Sequence, residues 1–142
     1  MPKTLTTQDR IARAMSEDDL LWNVWELAEH LGFLFDHSWD SRANLWVAQR
    51  AGLKGLQWGG RLDIVLILDT VSPPRIIEAE LKRELGSMTE RQQRFLAALK
   101  AAGREAYLWR PSDWLDGTIE RVLRQEHGLQ QWGVAAPTEA GR

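Results

Sequence analysis

The sequence contains no cysteine, which excludes disulfides, thiolate metal sites and a cysteine nucleophile. No uninterrupted apolar run is longer than Ile64–Leu68, far short of the roughly 20 residues that a membrane helix needs. Residues 1–13 hold no apolar stretch of signal-peptide length. Since a chain without cysteine also suits a reducing compartment, we expect a cytoplasmic protein with no membrane partner.

A strong net charge is missing too, because the formal charge is only −2. The total conceals a gradient, in which acidic residues outnumber basic ones over residues 1–40 and basic residues outnumber acidic ones over 41–110. A basic zone inside a mildly acidic protein is compatible with phosphate contact, although random scatter also produces such zones.

The size and balance of the chain are those of an ordinary globular protein. Its 142 residues, 44% of them hydrophobic, predict a single domain over residues 1–142 with a core at about 16–125. We expect the tail, 128–142, to be flexible. Eight tryptophans are the one unusual number. We expect Trp22, Trp25 and Trp109 in the core, whereas Trp46 and Trp58 are better candidates for substrate contact.

Apolar spacing and breaker residues predict an α/β fold, in which helices flank a small mixed sheet. The first helix is expected from Glu17 to Leu31, with Ser16 as N-cap and Gly32 just past its end. Further elements are strands at 32–37, 62–69, 75–82 and 106–109, helices at about 44–54 and 90–102, and a last helix from Ser112 or Asp113 to about His127.

Two of the predicted central strands carry acidic residues, which core strands rarely do. If the turn between them is centred between Val71 and Ser72, Asp63 lies opposite Glu80, with Cβ atoms about 5 Å apart. Lys82 stands two residues after Glu80 and therefore on the same face of the strand. Like charges at this separation destabilise a sheet, so we expect something positive between them.

Two interpretations fit these residues. Two converging carboxylates beside a lysine make a divalent-metal site with hard oxygen ligands, which suits hydrolysis of a phosphodiester. The alternative is a salt-bridge ladder in which Lys82 pairs with Glu80 or Glu78. The spacing alone does not decide between them, because a Glu-x-Lys sequence is common.

The ordered set of motifs resembles the PD-(D/E)xK nucleases, and within them the virus-type replication-repair (VRR-NUC) nucleases. The segments carrying the resemblance, over about residues 16–125, are Ser16-Glu17, Gly60 with Asp63, the Glu-Ala-Glu-Leu-Lys run 78–82, the Thr-Glu-Arg-Gln run 89–92, and 103–113. Leu62 stands where the family usually has proline, which affects only the stiffness of the strand entry.

The resemblance implies a restriction-endonuclease-like core, dependence on Mg²⁺ or Mn²⁺, and cleavage of DNA in a bacterium or a phage-infected cell. It implies that Asp63 and Glu80 bind the metal, that Lys82 is catalytic, and that Glu17 and Gln92 complete the site. Glu17 is equally explained as a first-turn acid at a helix N-terminus, and Gln92 as the partner of Thr89 in a capping box. Whether Glu78 belongs to the site stays open.

We therefore expect a metal-dependent DNA endonuclease that acts as a homodimer, with branched or structured DNA as a candidate substrate. Three arginines that flank the site, Arg83, Arg91 and Arg94, are candidates for phosphate contacts, although a solvated helix face explains them equally well. The alternative function is a nuclease-like DNA-binding subunit without catalysis. A structural protein with a fortuitous charge ladder comes third.

Overall fold

The structure of the protein is a computed structural model that describes residues 3–37 and 62–124. In these ranges the chain forms α1 (Thr7–Ala14), α2 (Glu17–His30), β1 (Leu34–His37), β2 (Ile64–Leu68), β3 (Arg75–Leu81), α3 (Glu90–Ala101), β4 (Glu105–Trp109), α4 (Pro111–Leu115) and α5 (Thr118–Leu123). The predicted α/β class is therefore confirmed. The helix expected at 44–54, Trp46, Trp58 and the tail expected to be flexible lie outside the described residues.

α2 begins where the sequence predicts it. The Ser16 hydroxyl accepts a hydrogen bond from the Asp19 N–H, and the Asp19 carboxylate accepts one from the Ser16 N–H, both at 3.0 Å. Gly32 follows the last turn with a φ of 88°, a left-handed conformation that glycine adopts without steric penalty. None of the described helices is long and apolar enough to cross a membrane.

α1 is a helix that the apolar pattern does not predict. Its start is fixed by a second capping box, in which Thr6 and Asp9 exchange hydrogen bonds at 3.1 and 2.8 Å. Only Ala12 is buried, and Ile11 is 48% exposed. A helix with so narrow an apolar face gives little hydrophobic periodicity, so its capping residues are the signal that would have found it.

The four strands form one mixed sheet in the order β1-β2-β3-β4. β2 pairs antiparallel with both β1 and β3, whereas β3 and β4 are parallel. In the β2–β3 hairpin Ile64 lies opposite Ala79 and Leu68 opposite Arg75, which is the register expected from the turn. α3 lies on the connection between the two parallel strands, where such a crossover is required.

The core lies where α2 and α5 pack against the sheet. Its fully buried members from the strands include Ile64, Leu66 and Ile77, and Leu20 and Val24 come from α2. α3 covers the sheet more loosely, because none of its residues is fully buried.

The C-terminal part of the described chain differs from the single long helix expected there. α4 starts after Arg110 with Pro111 as its first residue, a position where the missing N–H of proline costs nothing. The helix stops at Asp116, and Gly117 then takes a φ of 82° before α5 begins. Two short helices therefore replace the predicted one, because a residue in the left-handed conformation cannot continue the helical hydrogen-bond pattern.

A buried ion pair joins β3, β4 and α5 at one end of the sheet. Arg75 donates to both carboxylate oxygens of Glu105, each at 2.7 Å, and to the Val122 carbonyl at 2.8 Å. Tyr107 donates to Glu105 at 3.1 Å, and burial together with the Glu105 charge raises the pKa of Tyr107. The side chains of Arg75 and Glu105 are only 13% and 8% exposed, so each depends on the other for its hydrogen bonds.

We expect Arg75→Met to lower the free energy of unfolding by about 3–5 kcal/mol, because it leaves the Glu105 charge buried without a partner. A second substitution, Glu105→Leu, should recover part of this loss. The matched control is Arg124→Ala, which breaks the exposed Arg124–Glu120 pair and should cost less than about 1 kcal/mol. Urea denaturation measures all three, and an Arg75→Met loss as small as the control would contradict the assigned role.

Candidate active site

Asp63 and Glu80 lie on adjacent strands at the far end of the β2–β3 hairpin from Arg75. Continuing the observed register by one residue beyond Ile64 places Asp63 opposite Glu80. The Leu81 N–H donates to the Asp63 carboxylate at 2.8 Å, so Asp63 is held against the end of β3. The hairpin therefore brings the two predicted metal ligands together.

Glu80 is a fully buried carboxylate, with a relative exposure of 0%. Its Oε1 accepts a hydrogen bond from Gln92 Nε2 at 2.7 Å and lies 3.0 Å from Lys82 Nζ. Its other oxygen, Oε2, is also buried and has no hydrogen-bond partner among the described residues. Burial and the neighbouring Asp63 charge raise the pKa of Glu80 to about 7, against the opposing effects of Lys82 and of the backbone N–H of Asp63.

The pKa of Asp63 is raised as well, chiefly by burial. The charge of Glu17 adds to this increase, so Glu17 at the start of α2 lies within electrostatic reach of Asp63. The hydrogen bond from Leu81 and the charges of Lys82 and His37 oppose it. Asp63 therefore lies within electrostatic reach of both Glu17 and Glu80.

Lys82 follows β3 directly, and its side chain is 16% exposed. Its backbone N–H donates to the Trp109 carbonyl at 3.1 Å, which continues the parallel pairing beyond the end of the strand. Trp109 is 1% exposed, as the sequence predicts for this tryptophan. The core therefore fixes the backbone from which the Lys82 ammonium reaches Glu80.

Gln92 combines both roles that its position suggests. Its side-chain oxygen accepts a hydrogen bond from the Thr89 N–H at 2.9 Å, and the Thr89 hydroxyl accepts one from the Gln92 N–H at 3.1 Å. The capping box therefore orients the amide so that its NH₂ group donates to Glu80. One side chain can both cap the helix and contact Glu80, because its amide has an acceptor oxygen and a donor NH₂ group.

Arg110 fixes the loop between Lys82 and Gln92, and sequence reasoning did not single it out. Its Nη1 lies 2.8, 3.2 and 2.6 Å from the carbonyl oxygens of Arg83, Glu84 and Gly86. The Glu84 carboxylate accepts a hydrogen bond from the backbone N–H of residue 112 at 3.0 Å. No sequence signal marks these contacts, because they join segments about 25 residues apart.

The other predicted residues lie around this centre. Arg91 and Arg94 are exposed in the first turns of α3, where they border an open cleft of about 600 Å³ that Phe95 also lines. Arg83 is exposed in the loop after Lys82. Glu78 forms an ion pair with Arg104 at 2.8 Å, which gives it a partner outside the Asp63–Glu80–Lys82 group.

The donor set suits a small divalent cation. Within residues 3–37 and 62–124, no three His, Asp or Glu side chains are gathered as a complete metal-binding group. Mg²⁺ needs fewer protein ligands, because it retains several waters and binds through one or two carboxylates. Glu80 Oε2, which has no hydrogen-bond partner among the residues that the structure describes, fits that requirement together with Asp63.

Comparison with known proteins identifies no relative. No protein-family model matches the sequence, and neither a curated protein nor a solved structure matches the chain. What is inferred about function therefore depends on the residues themselves and on their geometry.

Without a divalent cation, we expect the protein to become less stable as the pH rises from about 5 to 8. The folded state keeps the Glu80 proton up to about pH 7, whereas the unfolded chain releases it near 4.5. Stability is then highest at the acidic end, and the loss, at most about 3 kcal/mol, is complete above pH 7.

Urea denaturation in EDTA at several pH values measures this dependence. Glu80→Gln should flatten it, because an amide has no proton to release and its oxygen can still accept from Gln92. Glu29→Gln, at an exposed acid of α2, should keep the dependence of the parent protein. Identical pH dependence in the parent and in Glu80→Gln would show that the burial of Glu80 does not perturb its titration.

Proposed function

We propose that the protein is a metal-dependent DNA endonuclease with a restriction-endonuclease-like core, similar to the VRR-NUC group of PD-(D/E)xK nucleases. The observation that carries this proposal is the buried Glu80 carboxylate, in which one oxygen contacts Lys82 and Gln92 and the other has no hydrogen-bond partner within residues 3–37 and 62–124. A carboxylate needed only for an ion pair would be expected to have both oxygens satisfied or exposed to water.

Asp63 and Glu80, with Glu17 nearby, are the residues that would hold Mg²⁺ or Mn²⁺. Burial raises the pKa of both acids, the charge of Glu17 adds to the increase for Asp63, and the charge of Asp63 adds to the increase for Glu80. A cation between Asp63 and Glu80 would therefore relieve a cost that the free protein bears. When bound, such an ion supplies neutralisation of phosphate charge and activation of a water nucleophile.

Lys82 and Gln92 are the protein groups that would act beside the metal. The Lys82 ammonium, held 3.0 Å from Glu80, can orient the attacking water and offset charge that develops on the phosphate during displacement. The Gln92 amide fixes Oε1 of Glu80 and so defines the orientation of the whole carboxylate. Because α3 and β3 anchor these groups, little reorganisation is needed when substrate binds.

DNA would lie across the surface that carries Arg83, Arg91 and Arg94. Arg91 and Arg94 stand three residues apart, hence on one side of α3, and Gln92 in the same helix contacts Glu80. Branched or structured DNA is the proposed substrate. A two-fold homodimer would present two such sites, one for each strand, because a domain of this size covers little DNA.

The alternative function is a nuclease-like subunit that binds DNA without cutting it. This alternative does not explain why Glu80 is buried beside Asp63. Such a protein has no use for a buried acid pair that repels itself, and an apolar residue in its place would pack without that cost. Cleavage assays separate the two functions, and metal binding separates both from a purely structural ion pair.

We expect the parent protein to cleave linear, nicked, flap or four-way-junction DNA in Mg²⁺ or Mn²⁺ and to leave it intact in EDTA. Lys82→Ala should reduce cleavage by roughly 100-fold or more, because it removes the charge that offsets the transition state. Metal and DNA binding should remain, since no ligand is lost. Glu80→Gln should lose both cleavage and Mn²⁺ binding, which titration calorimetry measures.

Lys100→Ala, at an exposed lysine of α3, is the matched control and should cut like the parent. Melting curves in EDTA confirm that each variant folds. If Lys82→Ala also cuts like the parent, the Glu80–Lys82 contact is a structural ion pair and the proposal fails.

We expect the affinity for DNA, measured in Ca²⁺, to fall steeply with salt concentration, because phosphate contacts release counterions. Replacing Arg91 and Arg94 together by alanine should weaken binding and reduce the slope of log affinity against log salt by about 1–2. The control replaces Arg10 and Arg13 of α1, which have the same spacing and are also exposed. An equal slope in both double variants would show that the α3 arginines do not contact phosphates.

A further inference from the structure

An aromatic cavity lies between α2 and β1, and the proposed nuclease chemistry does not use it. It has a volume of about 280 Å³, and its described walls are formed by Leu21, Trp22, Trp25, Phe35, Asp36 and His37. This size is at the lower limit of small-molecule sites and suits one ring system rather than an extended ligand.

Trp22 is the residue that makes this cavity unusual. The sequence predicts it in the core, yet it is 52% exposed, and this expectation is therefore wrong. Its ring centroid lies 5.0 Å from that of Trp25 at an interplanar angle of 75°, an edge-to-face contact that fixes both rings. The pair therefore presents an oriented aromatic surface on which a planar ring can stack.

Both walls of the cavity belong to elements that also carry or pair with residues of the acidic site. On α2, Leu21 and Trp25 follow Glu17 by about 6 and 12 Å along the helix axis. On β1, His37 pairs with Ile64, the residue after Asp63. The His37 charge lowers the pKa of Asp63, so the two groups are within electrostatic reach. The end of the cavity at His37 is therefore the end that faces Asp63.

The chemistry of the walls favours a base over a phosphate. Three of the six described residues that line the cavity are aromatic, and none of the six is a lysine or an arginine. Aromatic faces stack on any nucleobase, because every base has a π face. The arginines expected to contact phosphates lie instead on α3 and in the loop after Lys82.

We propose that the aromatic cavity holds an unstacked nucleobase of the DNA strand whose phosphodiester lies at Asp63 and Glu80. This inference rests on the proposed nuclease function and deepens it, because it makes an unpaired base beside the cleavage position the recognised feature. Duplexes with flaps, junctions or frayed ends present such a base at little energetic cost, whereas a continuous duplex must first be unstacked.

The test compares two labelled single strands of equal length and charge in Ca²⁺, an oligothymidylate and the same backbone with abasic sugars throughout. We expect the parent protein to bind the oligothymidylate more tightly, and Trp22→Ala to lose roughly 5- to 100-fold of that affinity. Trp22→Ala should leave the abasic strand unaffected, and Trp22→Phe should retain most of the preference. Ile11→Ala, at a similarly exposed apolar residue of α1, is the control and should change neither.

Two results would overturn this inference. Equal weakening of both strands by Trp22→Ala would show that the cavity does not contact bases. A large fall in melting temperature with unchanged binding would show that the cavity is filled by the protein's own chain.

A cleavage assay on flap DNA, with and without an abasic site next to the cut, separates this inference from the nuclease proposal. If both flap DNAs are cleaved at the same rate, the cavity does not bind a base during cleavage, and the nuclease proposal is unaffected. Base-dependent binding without cleavage of any DNA would support the role of the cavity and contradict the nuclease proposal.

Discussion

The burial of the Glu80 carboxylate is the constraint on which the arrangement of this protein depends. A charge with no exposure to water needs a partner within reach, and Lys82 and Gln92 come from a strand end and a helix start to supply two. The parallel pairing that continues through Lys82 therefore positions one group that contacts Glu80, and the capping box of α3 positions the other. In the part of the chain that the structure describes, they leave one oxygen of Glu80 without a hydrogen bond, beside the half-buried Asp63.

The fold contains two buried acids in different surroundings, one near each end of β3. At one end, Glu105 receives two hydrogen bonds from Arg75 and a third from Tyr107, so both of its oxygens are satisfied. At the other end, Glu80 is only partly satisfied and faces a second carboxylate. The first arrangement stabilises the sheet by itself. The second depends on a ligand or a proton to complete it, which is the behaviour expected of a functional site.

Local helix signals also position the site. The capping box at Ser16 starts α2 and thereby places Glu17 at the first helical position, within reach of Asp63. The capping box at Thr89 starts α3 and turns the amide of Gln92 toward Glu80. Helix initiation and site geometry share the same residues, so a change that frays either helix end would also displace a group from the acidic centre.

The sequence by itself determined the α/β class, the mixed sheet and the register that places Asp63 opposite Glu80, because alternation, caps and turns act over a few residues. It did not reveal α1, the break at Gly117 or the exposure of Trp22. The tertiary structure alone decided that Gln92 donates to Glu80 while it caps α3, that Arg110 holds the loop after Lys82, and that Trp22 and Trp25 line a cavity against β1. These features join segments distant in the chain, and their distances follow only from how the elements pack.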